Sequence, residues 1–118
     1  MKDNVIKDKS YDFAIRTVKL FKYLNKNHNE YIISKQILRC GTSVGANIEE
    51  ALGGTSRKDF TNKLSIAYKE ARETHYWLRI LHDTDFIPDK LFLSVEKDCL
   101  EICKILFSII RTSKNIIN

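Results

Sequence analysis

Proline, glycine and cysteine are scarce in this chain of 118 residues, which holds one Pro, four Gly and three Cys. So few turn-forming residues leave little room for the repeated tight hairpins of a β-rich fold. Cys40, Cys99 and Cys103 are an odd number of thiols at spacings that build no disulfide scaffold, so a reducing cytoplasm is the expected compartment. Long apolar runs are missing as well. The longest uncharged apolar stretch, ILFSII at 105 to 110, falls far short of the roughly 20 residues that span a bilayer, and the opening MKDNVIKDKS has no apolar signal core. A cytoplasmic protein without membrane contact is expected.

Motifs that carry chemistry are equally thin. Helical bundles that hold a di-iron centre use Glu-x-x-His on two helices, and no glutamate of this chain is followed by His three residues on. GTSVG at 41 to 45 looks superficially like a phosphate loop, but Gly45 is followed by Ala46 and Asn47 where Lys and Ser or Thr would be needed. Cys99 and Cys103 lie one turn apart with no further pair of ligands nearby, and read as small buried hydrophobes. His75 and His82 have no Ser or Cys in a shared local motif, which suits surface or capping roles. No catalytic constellation, metal site or cofactor site is expected, and a non-enzymatic protein follows.

What is abundant is helix-forming and charged. With 43% apolar and 30% charged residues, the chain suits a single domain over 1–118, large enough to bury its own core. Its 20 Lys and Arg exceed its 15 Asp and Glu, giving a formal charge of +5 that permits contact with nucleic acid or an acidic partner. Most of these charges are interleaved by sign, as on a solvated helix surface. A diffuse basic excess lies in Lys7, Lys9, Arg16, Lys19, Lys22 and Lys26.

Turn and cap signals divide the chain into four helices. The first is expected from about Lys9 to Leu24, ending in the polar NKNHNE at 25 to 30, and the second from about Tyr31 to Leu52, with Gly53-Gly54 at its C′ position. Ser56 with Asp59 three residues on starts a third helix that runs to about Asp83, and Pro88 opens a fourth that runs to about Lys114. Such short connections force antiparallel neighbours, so the expected fold is an all-α, antiparallel, up-down-up-down four-helix bundle.

The third helix has an unbroken 4-3 seam of Phe60, Leu64, Ala67, Ala71, Thr74, Leu78 and Leu81. The second offers Ile37, Gly41, Val44, Ile48 and Ala51, with Gly45 beside them. A glycine in a helix interior costs about 1 kcal/mol against Ala. Gly41 and Gly45 are therefore expected to let a neighbouring backbone come close, opposite the small Ala67 and Ala71. The first and fourth helices carry apolar residues over a far wider arc than the ~100° of one buried face, which predicts contact between copies of the chain. On the third helix Glu70 and Glu73 stand in an apolar stripe and need basic partners such as Arg39 or Arg72. If that stripe is an interface, Tyr76 and Trp77 are its anchors.

With the helices placed, SYDFAIRTVKL near the start, SKQILRCGTSVGANIEEA at 34 to 51 and SRKDFTNKLSIAYKEARETHYWLRIL at 56 to 81 resemble the four-helix proteins encoded in intervening sequences of bacterial 23S ribosomal RNA genes. Ser43, Gly45, Asn47, Ile48, Glu50 and Ala51 carry the most specific part of the likeness. Cys40 departs from it, standing where a small Ser or Ala is expected. The resemblance implies a homo-oligomeric ring, a pentamer, and a fold shared with the accessory protein of diversity-generating retroelements, a basic barrel that binds nucleic acid and a reverse transcriptase. It supplies no catalytic residues. Asn47, Glu50 and Glu70 are expected to form a polar network that fixes helix register. The resulting expectation is a nucleic-acid-associated protein that neutralises RNA or DNA phosphates with Arg16, Lys19, Lys22, Lys26, Arg57, Lys58 and Lys63. The alternative is a protein-binding scaffold whose partner docks on Tyr76 and Trp77.

Overall fold

The computed structural model describes residues 2–117, with side chains from 5 to 115; the two ends of the expected 1–118 domain lie outside it. Four helices follow one another: α1 (Lys2–His28), α2 (Ile33–Leu52), α3 (Arg57–Asp83) and α4 (Asp89–Ile117). Each packs on the next, and α4 returns to α1, while among the described residues the backbones of the diagonal pairs stay apart. Contacts between neighbours climb one helix as they descend the other: Asn25 meets Ser34 while Lys7 meets Glu49, and His82 meets Asp89 while Thr61 meets Ser113. The result is an antiparallel up-down-up-down bundle of 47 × 21 × 20 Å, its length set by helices that rise about 1.5 Å per residue.

Every helix contributes a 4-3 seam to one core. The α3 seam from Leu64 to Leu81 is buried as its spacing requires, but at its start Thr61 is buried in place of the expected Phe60, which is half-buried; α2 turns Ile37, Val44, Ile48 and Ala51 inward. The α1 seam is Ile6, Ser10, Phe13, Thr17, Leu20 and Leu24, and Phe92, Val95, Cys99, Ile102, Leu106 and Ile109 form that of α4. Two hydroxyl residues thus occupy core positions in α1. Ser10 donates to the Lys7 carbonyl at 3.0 Å and Thr17 to that of Ala14 at 2.8 Å, so each is satisfied within its own helix and packs as a small side chain.

Those two residues correct the expected role of the glycines. Gly41 and Gly45 face α1 and not the alanines of α3: a Cβ built on Gly41 would stand 2.4 Å from Thr17 Cγ2, and one on Gly45 would stand 3.3 Å from the Ser10 carbonyl oxygen. Ala67 and Ala71 are fully buried, and α4 comes close at Ala71, where the Cys99 thiol reaches the Ala71 carbonyl at 3.3 Å.

Helix ends differ from expectation where a side chain beyond the repeat makes the decision. α1 begins at Lys2 and not near Lys9, because Ile6 is buried and extends the seam by a turn. It continues through NKNH to His28, whose ring packs edge-on against Tyr23 and Phe86, and ends at Asn29, whose φ of 50° is left-handed. α2 starts at Ile33 and not at Tyr31. Its cap position, Ile32, has no side chain that can bond, and the buried Glu30 replaces it. The Glu30 carboxylate accepts from the backbone N–H of Ile32 at 2.8 Å, Ile33 at 2.6 Å and Ser34 at 3.0 Å. Gly53 follows the end of α2 as expected, but with an ordinary φ of −92°. Ser56 caps α3 by accepting from the Asp59 N–H at 3.0 Å. Pro88 precedes α4 and does not open it: its carbonyl accepts from Phe92 N–H at 2.9 Å.

The α3–α4 turn is closed by His82. Its Nε2 lies 2.6 Å from Asp89 Oδ1, its Nδ1 lies 3.3 Å from Asp83 Oδ1, and its ring stacks on Phe92 at 4.2 Å. The hydrogen bond to Asp89 outweighs partial desolvation and raises the His82 pKa, with Asp83 adding to it. A group raised in the folded state stabilises fully below its unfolded pKa, about 6.5, and this contribution is lost as pH rises through the higher folded value. Asp89→Asn should therefore lower Tm at about pH 5.5 and leave it little changed at about pH 8.5. Equal losses at both values would show that the clamp does not depend on His82 charge.

Candidate nucleic-acid interface

The seven cations expected to hold phosphates are not brought together. Arg16 is bound to α4, donating to Asp98 at 2.7 Å and to Ser94 Oγ at 3.0 Å, and Lys63 reaches Glu50 at 3.2 Å. Lys19, Lys22 and Lys26 are exposed on the C-terminal half of α1, whereas Arg57 and Lys58 start α3 at the opposite end of the 47 Å axis, on the diagonal helix. One basic patch through all seven is excluded by the antiparallel order of the helices. Lys19 instead borders a groove of about 400 Å³ between α1 and α4, floored by Leu20, Leu91 and Val95.

The expected polar network is likewise divided. Asn47 donates to the Ser43 carbonyl of its own helix at 2.8 Å, Glu50 pairs with Lys63, and Glu70 accepts from Arg39 at 3.4 Å. Arg39 also holds Glu73, which accepts from the Trp77 indole at 3.0 Å, so the acids of the apolar stripe have the partner expected for them. Trp77 is half-buried by this arrangement, while Tyr76 beside it is 49% exposed. Cys40 is buried and its thiol is pushed up to about 11 by desolvation. Contact with Cys103, then burial, keeps Cys99 protonated. Among the described residues no group of three or more His, Cys, Asp or Glu is placed to hold a metal.

Folding sorts the charges that the sequence interleaves. Glu49, Glu50, Glu70, Glu73, Asp98 and Glu101 are all tied to Lys or Arg of a neighbouring helix. His75 occupies Glu96 at 2.8 Å, His82 occupies Asp83 and Asp89, and Glu30 caps α2. Six acids thereby make ion pairs with Lys or Arg along the bundle surface, and among the described residues a larger number of cations is left without one. The groups that the sequence argument missed lie on the outer face of α3 and α4. There Arg72 stands over the Tyr68 ring at 5.8 Å, Arg79 over Tyr76 at 5.9 Å and Arg111 over Phe107 at 5.7 Å. The signal was an aromatic followed three or four residues later by Arg, the spacing of helix neighbours. Apolar side chains are also open, as the wide arcs of α1 and α4 require: Tyr11 is 63% exposed, Leu93 60% and Phe107 54%.

No helix among the described residues is long and apolar enough to cross a membrane. The sequence pattern of the 23S rRNA-intervening sequence protein family matches residues 2–108. A crystal structure from Bacteroides thetaiotaomicron, described as a protein with unknown function from the S23 ribosomal protein family, superposes with a TM-score of 0.92 at 55% identity, over 94% of this chain and 99% of that one. No curated protein matches.

Proposed function

Because the chain belongs to the 23S rRNA-intervening sequence protein family, we propose that it acts as a self-assembling, non-enzymatic bundle that holds nucleic acid by its phosphates. The observation that carries this reading is the sorting of charge: six acids are tied up in cross-helix pairs, while unpaired cations such as Lys19, Lys22, Lys26, Arg57 and Lys58 are exposed. Repeating such a surface around a ring, with five copies as the expected number, multiplies a modest charge per chain into a concentrated one. A ring needs two unlike patches on each copy. Tyr11 and Ile15 on α1 offer one, and Ile66 with the half-buried Trp77 on α3 offers the other.

Phosphate contacts give affinity with little sequence preference and a steep dependence on salt. Binding to a structured ribosomal RNA fragment should weaken roughly tenfold or more between low and physiological salt. Lys19→Glu with Lys22→Glu should weaken it further and flatten the salt slope, as these side chains make no ion pair that their replacement could break. Solution mass in the same buffers should be a multiple of 13.8 kDa. A monomer would overturn the ring. An assembled protein indifferent to RNA at any salt would favour the rival reading, a protein-binding scaffold, for which the exposed Tyr76 beside Trp77 is the specific support.

A further inference from the structure

The outer face of α3 and α4 carries a feature that phosphate neutralisation leaves unexplained. A surface that needs only positive charge is served by lysines in water, as on α1. This face instead pairs its guanidinium groups with rings, and the rings are open: Tyr76 is 49% exposed and Phe107 54%. Two of the pairs meet across the helix boundary, where the Tyr68 and Phe107 rings lie 6.1 Å apart. Arg72 is held further by donating to the Tyr68 hydroxyl at 3.2 Å. Glu96, an acid of α4 that faces α3, is engaged by His75 at 2.8 Å. The face is therefore a row of flat π surfaces, each with a planar cation beside it.

From this arrangement we infer that the α3–α4 face binds an unpaired nucleic-acid strand, stacking its bases on Tyr76, Phe107 and the guanidinium planes while Arg72, Arg79 and Arg111 take its phosphates. The inference rests on the nucleic-acid reading above and specifies its ligand. Charge and shape both argue for a single strand. A base in a duplex hides its faces in its own stack, whereas an unpaired strand can turn them onto an aromatic ring or an Arg plane. Guanidinium groups suit both tasks, because they stack through their flat faces and bind phosphate oxygens through the N–H groups at their edges. From Arg79 to the level of Phe107 the face runs about 17 Å along the helices, the reach of a few extended nucleotides.

The test uses the full chain with a short oligoadenylate containing one 2-aminopurine, compared with a blunt duplex of equal length. The single strand should bind more tightly, and its 2-aminopurine emission should be quenched, which a purely electrostatic contact would not do. Phe107→Ala and Tyr76→Ala should each weaken strand binding about tenfold, within the range for loss of one stacked base, while Phe107→Tyr restores it. Solution mass and helicity should stay unchanged. Equal binding of strand and duplex without quenching would overturn the inference and leave the phosphate reading standing. Failure of both ligands to bind at low salt would overturn both. Loss of the assembled state in Phe107→Ala would also overturn the inference, by showing that copies of the chain cover this face.

Discussion

Gly41→Leu is expected to abolish cooperative folding of the bundle. Even the smaller change, Gly41→Ala, would put a Cβ 2.4 Å from Thr17 Cγ2, 2.9 Å from its Cβ and 3.0 Å from its Oγ1. Helix propensity alone would make Ala better by about 1 kcal/mol. Overpacking of a dense core costs about 1–3 kcal/mol and sometimes more, and Thr17 cannot swing aside freely, since it is fully buried and bonded to the Ala14 carbonyl. The clash wins, and Gly41→Ala should lose about 1–2 kcal/mol in urea denaturation. Leucine adds three more carbons to the same gap, where the required shift of α1 sets its cost against a total stability of about 5–15 kcal/mol. Thr17→Ala supplies the control. It removes Cγ2 and Oγ1, so in combination with Gly41→Ala it should recover part of the loss and give a clearly non-additive double-mutant cycle. Gly41→Ala at or above wild-type stability would show that the contact is not limiting.

Glu30→Ala has the second largest expected effect. One carboxylate accepts from three consecutive N–H groups at the start of α2, in a site where Glu30 is 8% exposed. Hydrogen bonds to a charged group contribute about 1.5–3 kcal/mol each, but three bonds to one group do not add, and water can reach the emptied site. A loss of about 3 kcal/mol is expected, equivalent to a fall in Tm of roughly 10 °C for a domain of this size. Glu30→Gln keeps one acceptor oxygen and should recover about half of it. A Tm within a degree of wild type for Glu30→Ala would mean that Ser34 and Asn25, joined at 3.0 Å, fix this turn without it.

These two sites also mark the limit of what the sequence made legible. Four helices, their order, the α3 seam and the Ser56 cap follow from spacing and local chemistry, which act over a few residues. The α1 seam was obscured because Ser10 and Thr17 count as polar in any pattern, though self-satisfied hydroxyls pack as small residues. The start of α2 was misplaced because its cap comes from Glu30, outside the helix and of a residue type not favoured at that position. At the candidate interface, a list of cations did not reveal which would be spent on acids. That depends on the partner helix: Arg16 is occupied by Asp98, far along the chain, while Lys19 and Lys22 next to it are not. The Arg-over-ring pairs were readable one by one, but their alignment on a single face required the α3–α4 register.

The order in which the helices touch has a bearing on how the chain reaches this state. Three of the four seams join helices adjacent in sequence, so they close over short loops with little entropic cost and support rapid, stepwise growth of structure. The fourth, between α1 and α4, brings together groups as far apart as Lys9 and Glu101, separated by 92 positions, and it is the least extensive of the four. It has the most chain entropy to overcome and the fewest contacts to repay it. In the native ensemble this seam is the natural place for sub-global opening, with α2 and α3 forming the slowest-exchanging unit and the two terminal helices parting from each other first.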